Sequence, residues 1–227
     1  MTTYVVRVWV PDRPGALGAV ASRIGAVRGD LVGVDILERG AGRAIDELVV
    51  ELPGEELVPL LINEMAQVDG VDVEDVRLAT EQVADPRLDA LETAAVLVEK
   101  PTVDELLETL AHHARRDFEA DWAVVVGLEG PVPLASVGSP PPAAWLSAFV
   151  AGSRTSVRVA AGDCGPDDVA WAALATSELA LILGRKGRPF RARERRQLGA
   201  LARIADHRWV ELAQRTSRVT HPSALGR

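Results

Sequence analysis

The segment Asp12-Arg13-Pro14-Gly15-Ala16-Leu17 joins a strand-like run to a helix-like run and carries residue types that could hold a small carboxylate or zwitterion. Pro14 fixes its own φ and steers Arg13 toward extended geometry, while Gly15 lets the backbone approach a ligand without a Cβ in the way. A helix opening here offers unpaired N–H groups and a partial positive charge, which suit a carboxylate. A small zwitterion could set its carboxylate on the amides near Gly15, Ala16 and Leu17 and its cationic group on Asp12. The plainer alternative is that Asp12 caps a turn and Gly15 serves chain geometry alone.

Other constellations carry less. His112 and His113 are adjacent on a helix-like run, so their side chains diverge by about 100° and cannot form an i, i+4 metal pair. His207 and His221 are isolated. No phosphate-binding loop, dinucleotide fingerprint, G-x-S-x-G elbow or H-E-x-x-H pair occurs, so the motif tests for nucleotide hydrolysis, hydride transfer, serine hydrolysis and zinc proteolysis fail. Asp117, Glu119 and Asp121 lack the glycine and terminal glutamate of a calcium loop and read as a solvated helix end. Cys164, the single cysteine, excludes an intrachain disulfide and reads as a small buried thiol. No metal or cofactor is expected, and the chain reads as a non-enzyme.

The elements that position the loop follow from periodicity. Tyr4 to Val10 alternates, with Val6, Val8 and Val10 on one face and Val5, Arg7 and Trp9 on the other. Leu17, Val20, Ala21, Ile24 and Val27 then recur at helical spacing until Gly29, which is expected to close the helix. Strands from Leu31 to Glu38 and from Ala44 to Leu52 form a hairpin about Gly40, Ala41 and Gly42. A second helix carries Leu57, Leu61, Met65 and Val68 on one side, with Pro59 in its first turn, and residues 71 to 78 give a last strand. The order βαββαβ is that of a ferredoxin-like fold, whose helices cover one sheet face. The other face is expected to show Val5, Trp9, Leu31, Leu37 and Val49 among Arg7, Asp35, Glu47 and Glu51, and so to need a partner surface.

A first strand followed by D-R-P-G-A-L, a helix and Gly29-Asp30-Leu31-Val32 resembles the ACT family of ligand-binding regulatory domains of amino-acid metabolism, over residues 4 to 79. The resemblance implies a ligand site of Asp12, Arg13, Gly15, Ala16, Leu17, Asp30 and Leu31 at a subunit boundary, and a homodimer. One position departs from the family. Where amino-acid-binding members often carry asparagine, Asp30 can only accept when ionised, which favours an ammonium or hydroxyl beside it.

Residues 85 to 215 read as a second domain and 216 to 227 as a flexible tail, with the boundary near residue 84, in the polar stretch 80 to 87. Expected helices run from Leu88 to Glu99 and from a Thr102–Glu105 capping box to Phe118. Strands are expected at 122–128, 133–137, 156–161, 169–175 and 178–184, a short helix at 144–150, and a long one from Arg193 to Gln214. The phrase ELALILGRKGRPFRARERRQLGALARIA resembles the end of a GAF domain, which implies an α/β/α layering about an antiparallel sheet. The family's cyclic-nucleotide pattern is absent, and a single cysteine rules out its disulfide-resolving methionine-sulfoxide reductase version. The fold class is therefore α+β throughout.

Charge is uneven. Residues 1–84 carry net −8, residues 85–184 net −9 and residues 185–227 net +9, within a total of −8. The acidic body would be repelled by nucleic acid. Arg185, Lys186, Arg188, Arg191, Arg193, Arg195 and Arg196 form a basic run that could dock nucleic acid or an acidic protein, or simply be solvated. No run approaches the roughly 20 apolar residues of a membrane span, and the first residues do not read as a signal peptide. The expectation is a cytoplasmic homodimer that senses a small molecule, most simply an amino acid, and passes occupancy to an effector protein. The alternative is an adaptor working through the basic run.

Overall fold

The computed structural model describes residues 1–79, 86–130, 132–156, 159 and 165–220, the side chains of 86, 87 and 216–220 excepted. The chain divides into two units, Met1–Ala84 and Asp85–Arg227. Both are mixed α and β, each built on one antiparallel four-stranded sheet. No helix among the described residues is long and apolar enough to cross a membrane.

In the first unit, β1 (Thr2–Pro11), α1 (Ala16–Ala26), β2 (Asp30–Gly40), β3 (Arg43–Leu52), α2 (Val58–Ala66) and β4 (Asp72–Leu78) follow in order, with a 3-10 turn at Glu55–Leu57 before α2. The sheet order β2-β3-β1-β4 is the ferredoxin-like arrangement. Val6, Val8 and Val10 alternate onto the helix side and are buried with Leu48, Val50 and Leu52 of β3 and Val20, Ile24, Leu61 and Met65 of the helices. The hairpin turns where expected, with Ala41 and Gly42 at φ 50° and 77°.

Three expectations need correction. Arg28, at φ 61°, takes the left-handed position after α1. Gly29 is needed for space instead, because a Cβ there would stand 3.0 Å from both Ile24 Cγ2 and Leu52 Cδ2. Strand β2 also does not alternate simply. Its register against β3 slips between Leu31 and Gly33 and again between Ile36 and Glu38. Each bulge reverses which face the following residues occupy. Leu31 therefore pairs with Val50 and packs into the helix-side core, not on the open face. The open face also exposes less than expected. Arg7, Ile45 and Leu37 are only 1%, 2% and 5% exposed. Arg7 and Arg77 both bind Glu47, at 2.8 and 3.0 Å. Burial alone would raise the Glu47 pKa, but the Arg77 and Arg7 charges and their hydrogen bonds outweigh it and hold the carboxyl below its ordinary value.

In the second unit, α3 (Pro86–Glu99) and α4 (Val103–Asp117) precede β5 (Trp122–Gly127) and β6 (Pro133–Val137). Then come α5 (Ala143–Thr155), β7 (Val169–Leu174), β8 (Leu179–Gly184) and α6 (Ala192–Thr220). The sheet order is β6-β5-β8-β7. Ala123, Val125, Ala170, Ala172, Leu181 and Leu183 pack with Leu106, Leu110, Leu198 and Ala202 of the long helices. Val124, Val126, Trp171 and Ile182 face the other way, against Leu146 and Val150 of α5. The unit is thus an α/β/α sandwich. Thr102 caps α4, accepting from Glu105 N at 3.3 Å and donating to Glu105 Oε1 at 3.0 Å. On α6, Asp206 accepts from the turn amides of Thr176 and Ser177, both at 2.9 Å, and so ties the helix to the β7–β8 hairpin.

Helix α5 is longer than expected, and α6 continues past Gln214 into the segment read as a tail. The strand expected at 156–161 falls largely outside the described residues, and Val159 within it is helical. The boundary stretch 80–85, Cys164, His221 and residues 221–227 also lie outside the described residues.

Candidate functional site

The chain leaves β1 at Pro11 and crosses to α1 through a loop held at both ends. Asp12 N donates to Gly42 O at 2.9 Å, anchoring the loop to the hairpin turn, and Arg13 N donates to Pro11 O at 2.8 Å. Gly15 sits at the helix N-cap with φ 86° and ψ −15°, and no side chain caps α1. The first intrahelical bond runs from Ala19 N to Gly15 O at 3.0 Å. The amides of Leu17 and Gly18 precede it and have no acceptor within the helix. No acidic residue occupies the first turn. A Cβ built on Gly15 would meet no atom within 4 Å, so the backbone there faces open space. Asp12, Arg13 and Gly15 are exposed, Ala16 is buried and Leu17 is half-buried against the core.

Asp30 and Leu31 are not beside this loop. Pro11, which leads into it, pairs with Arg43, whereas Asp30 pairs with Glu51, in the row of Thr3. Eight residues of β3 separate the two rows, about 26 Å at roughly 3.3 Å per residue. One chain therefore brings together Asp12, Arg13, Gly15, Ala16 and Leu17, and carries Asp30 and Leu31 to the far end of the sheet.

Sequence reasoning missed Asp46. Strand β3 places Leu52, Val50 and Leu48 on the helix side, each fully buried, and Asp46 is next along that face at 4% exposure. It pairs with Val8, near the loop end of β1. Its Oδ1 is buried with no hydrogen-bond partner among the described residues. Burial raises its pKa above the ordinary carboxyl value, a shift that Arg39 opposes and Asp12 reinforces. The alternation of β3 held the signal: a carboxylate stands where the pattern calls for an aliphatic side chain.

The expected solvated helix end at Asp117, Glu119 and Asp121 is instead engaged. The buried Thr93 hydroxyl donates to Asp117 Oδ2 at 2.6 Å and lies 3.1 Å from His113 Nδ1. With that proton committed to Asp117, His113 must donate from Nδ1. Burial, with Arg116 nearby, lowers the His113 pKa. Asp121 Oδ2 accepts from Lys186 N, and Glu119 pairs with Arg188. No group of three or more histidine, cysteine, aspartate or glutamate side chains among the described residues could hold a metal ion.

The basic run is mostly consumed by the fold. Arg185, 3% exposed, donates to Phe118 O, Arg188 O and Pro189 O, pairs with Glu194 at 2.6 Å and lies 4.1 Å from the Phe190 ring centroid. Arg195, 6% exposed, donates to Val169 O and Pro166 O. Of the seven bases, only Lys186 and Arg196 are exposed.

No model of a known protein family matches the chain, and no curated protein matches it. Several solved structures are similar to it. The ACT domain from GTP pyrophosphokinase of Chlorobium tepidum is 14% identical, covering 34% of this chain and 97% of that one, at a TM-score of 0.28. The free methionine-R-sulfoxide reductase from Neisseria meningitidis, in complex with its substrate, is 14% identical and covers 60% of this chain and 95% of that one, at 0.41. A bacteriophytochrome from the photosynthetic bacterium R. palustris is 13% identical; it covers 82% of this chain, which spans 43% of it, at 0.43. At these identities the likeness is of fold alone.

Proposed function

We propose that the chain is a non-catalytic regulatory protein whose first unit binds a small molecule with a free carboxylate, in the simplest case an amino acid, at the Asp12–Leu17 loop. The observation that carries this reading is the opening of α1. It combines a helix N-terminus that no side chain caps, a left-handed glycine backbone facing open space, and no acid in the first turn to compete for the amides of Leu17 and Gly18, Ala16 N being held by Arg13 O at 3.3 Å. The resemblance of D-R-P-G-A-L to the ACT family supports the same reading. Occupancy would then be passed to an effector protein.

A ligand that binds only the folded state stabilises it by about 2.7 kcal/mol at a hundredfold excess over Kd. In a thermal-shift panel of the proteinogenic amino acids at millimolar concentration, at least one should raise the melting point by a few degrees. A flat panel rejects the reading.

The protein acts as a homodimer through the β2 edge. That strand lies at the sheet edge and exposes Val32, Val34 and Ile36, at 50%, 40% and 38%, an apolar rim of the kind that recruits a further strand. A two-fold antiparallel pairing of β2 with its own copy, centred on Asp35, would set Asp30 of one copy opposite Gly40 of the other. Gly40 lies in the row of Arg43 and Pro11, so this register would carry Asp30 of the second copy to the loop end of the sheet. Light scattering at tens of micromolar should give twice the chain mass, and a strictly monomeric mass removes the dimer.

A further inference from the structure

We propose that Asp46 is the counter-charge of the loop site, so that the ligand class is narrowed to molecules carrying a free ammonium beside their carboxylate. This rests on the reading of the Asp12–Leu17 loop as a small-molecule site and adds the residue that decides which carboxylates enter.

The helix-side face of β3 is aliphatic and fully buried from Leu52 to Leu48 and then carries a carboxylate at 4% exposure. A buried carboxylate is kept where something satisfies it, because an ion left without a partner in the interior is costly. Among the described residues nothing donates to Asp46 Oδ1. Arg39 on β2 acts on Asp46 through its field, and Asp12 of the loop adds a second negative charge. Asp46 therefore has no evident part in holding the fold and would be a liability there if nothing bound to it.

Its position supplies the use. Asp46 lies on the sheet face that α1 covers, two rows from the Val10–Ala44 pair and three from the Pro11–Arg43 pair where the loop begins. The loop amides offer donors to an anion, and Asp46, with Asp12 on the rim, offers acceptors to a cation. Donors and acceptors at one end of one sheet fit a zwitterion. A carboxylate lacking the ammonium would leave the Asp46 oxygen unpaired and would meet two negative charges, so it would be rejected. An N-acylated amino acid fails for the same reason, since its amide nitrogen carries no charge.

The test uses the full chain, with the amino acid giving the largest melting shift, its N-acetyl derivative, and the variants Asp46→Asn and Asp46→Ser. By calorimetry, wild type should bind the free amino acid and bind the N-acetyl form at least tenfold more weakly. Asp46→Asn should weaken the free amino acid at least tenfold, and Asp46→Ser should do likewise. Without ligand, Asp46→Asn should melt no lower than wild type, because a buried unpaired charge has been removed. Affinity within twofold of wild type in Asp46→Asn would overturn the assignment and leave the loop reading standing. Unliganded melting points several degrees lower in both variants would mark Asp46 as structural and overturn it too. If no amino acid binds wild type, the loop reading falls and this assignment with it.

Discussion

Arg185→Ala should cost the second unit about 3–5 kcal/mol, the range for removing one partner of a buried ion pair. The guanidinium holds three backbone carbonyls and the Glu194 carboxylate at once, and it packs on the Phe190 ring. Its loss would leave those acceptors facing one another where water has little access. Arg185→Lys should recover only part of the loss, since one ammonium cannot fork to four acceptors. Four of the five tryptophans, Trp122, Trp145, Trp171 and Trp209, lie in this unit, so denaturant unfolding followed by fluorescence reads it directly. The magnitude matters because total stability is commonly about 5–15 kcal/mol. A cost under about 1 kcal/mol would mean that Arg185 belongs to a solvated basic surface, and the adaptor reading would regain its main support.

Gly15→Val should abolish the ligand-induced melting shift. At φ 86° the backbone is in a region that a β-branched residue occupies only with strain, of about 1–2 kcal/mol. The unliganded variant should therefore melt slightly lower yet remain folded, because a Cβ there meets no neighbour. The same open space that spares the fold is where the carboxylate would meet the backbone, and the branched side chain fills it. Gly25→Ala, in the last turn of α1, is the control. It should raise stability by about 0.5–1 kcal/mol through helix propensity and leave the shift intact. A Gly15→Val protein that responds as wild type does would move the site away from the loop.

The elements that positioned the loop were legible because their signals are local. Val6, Val8 and Val10 mark one face of β1 and Gly42 marks the hairpin turn; in the second unit, Thr102 with Glu105 likewise marks the start of α4. Strand β2 was less legible because a bulge leaves no imprint on period-two alternation except to reverse it. Placing Leu31 on the open face with Asp35 and Leu37 followed from assuming none. That assumption does not explain Asp30, whose distance from the loop follows from antiparallel pairing alone: β2 starts at the end of the sheet where β1 also starts. The basic run shows a further limit. Counting charges treats Arg185 and Arg196 alike, but one is buried among carbonyls and the other is exposed, a difference set by tertiary contacts far along the chain. Asp46 was visible in the sequence in principle, as the one carboxylate on the aliphatic face of β3. What its oxygen lacks could be seen only once its neighbours were in place.

The most direct measurement of the central claim is the change in backbone amide resonances of the isotopically labelled full chain as an amino acid that shifts its melting point is titrated in. The largest perturbations should fall on Gly15, Ala16, Leu17 and Gly18 and saturate with the calorimetric Kd. Perturbations confined to the second unit, with these four amides unmoved, would contradict that claim.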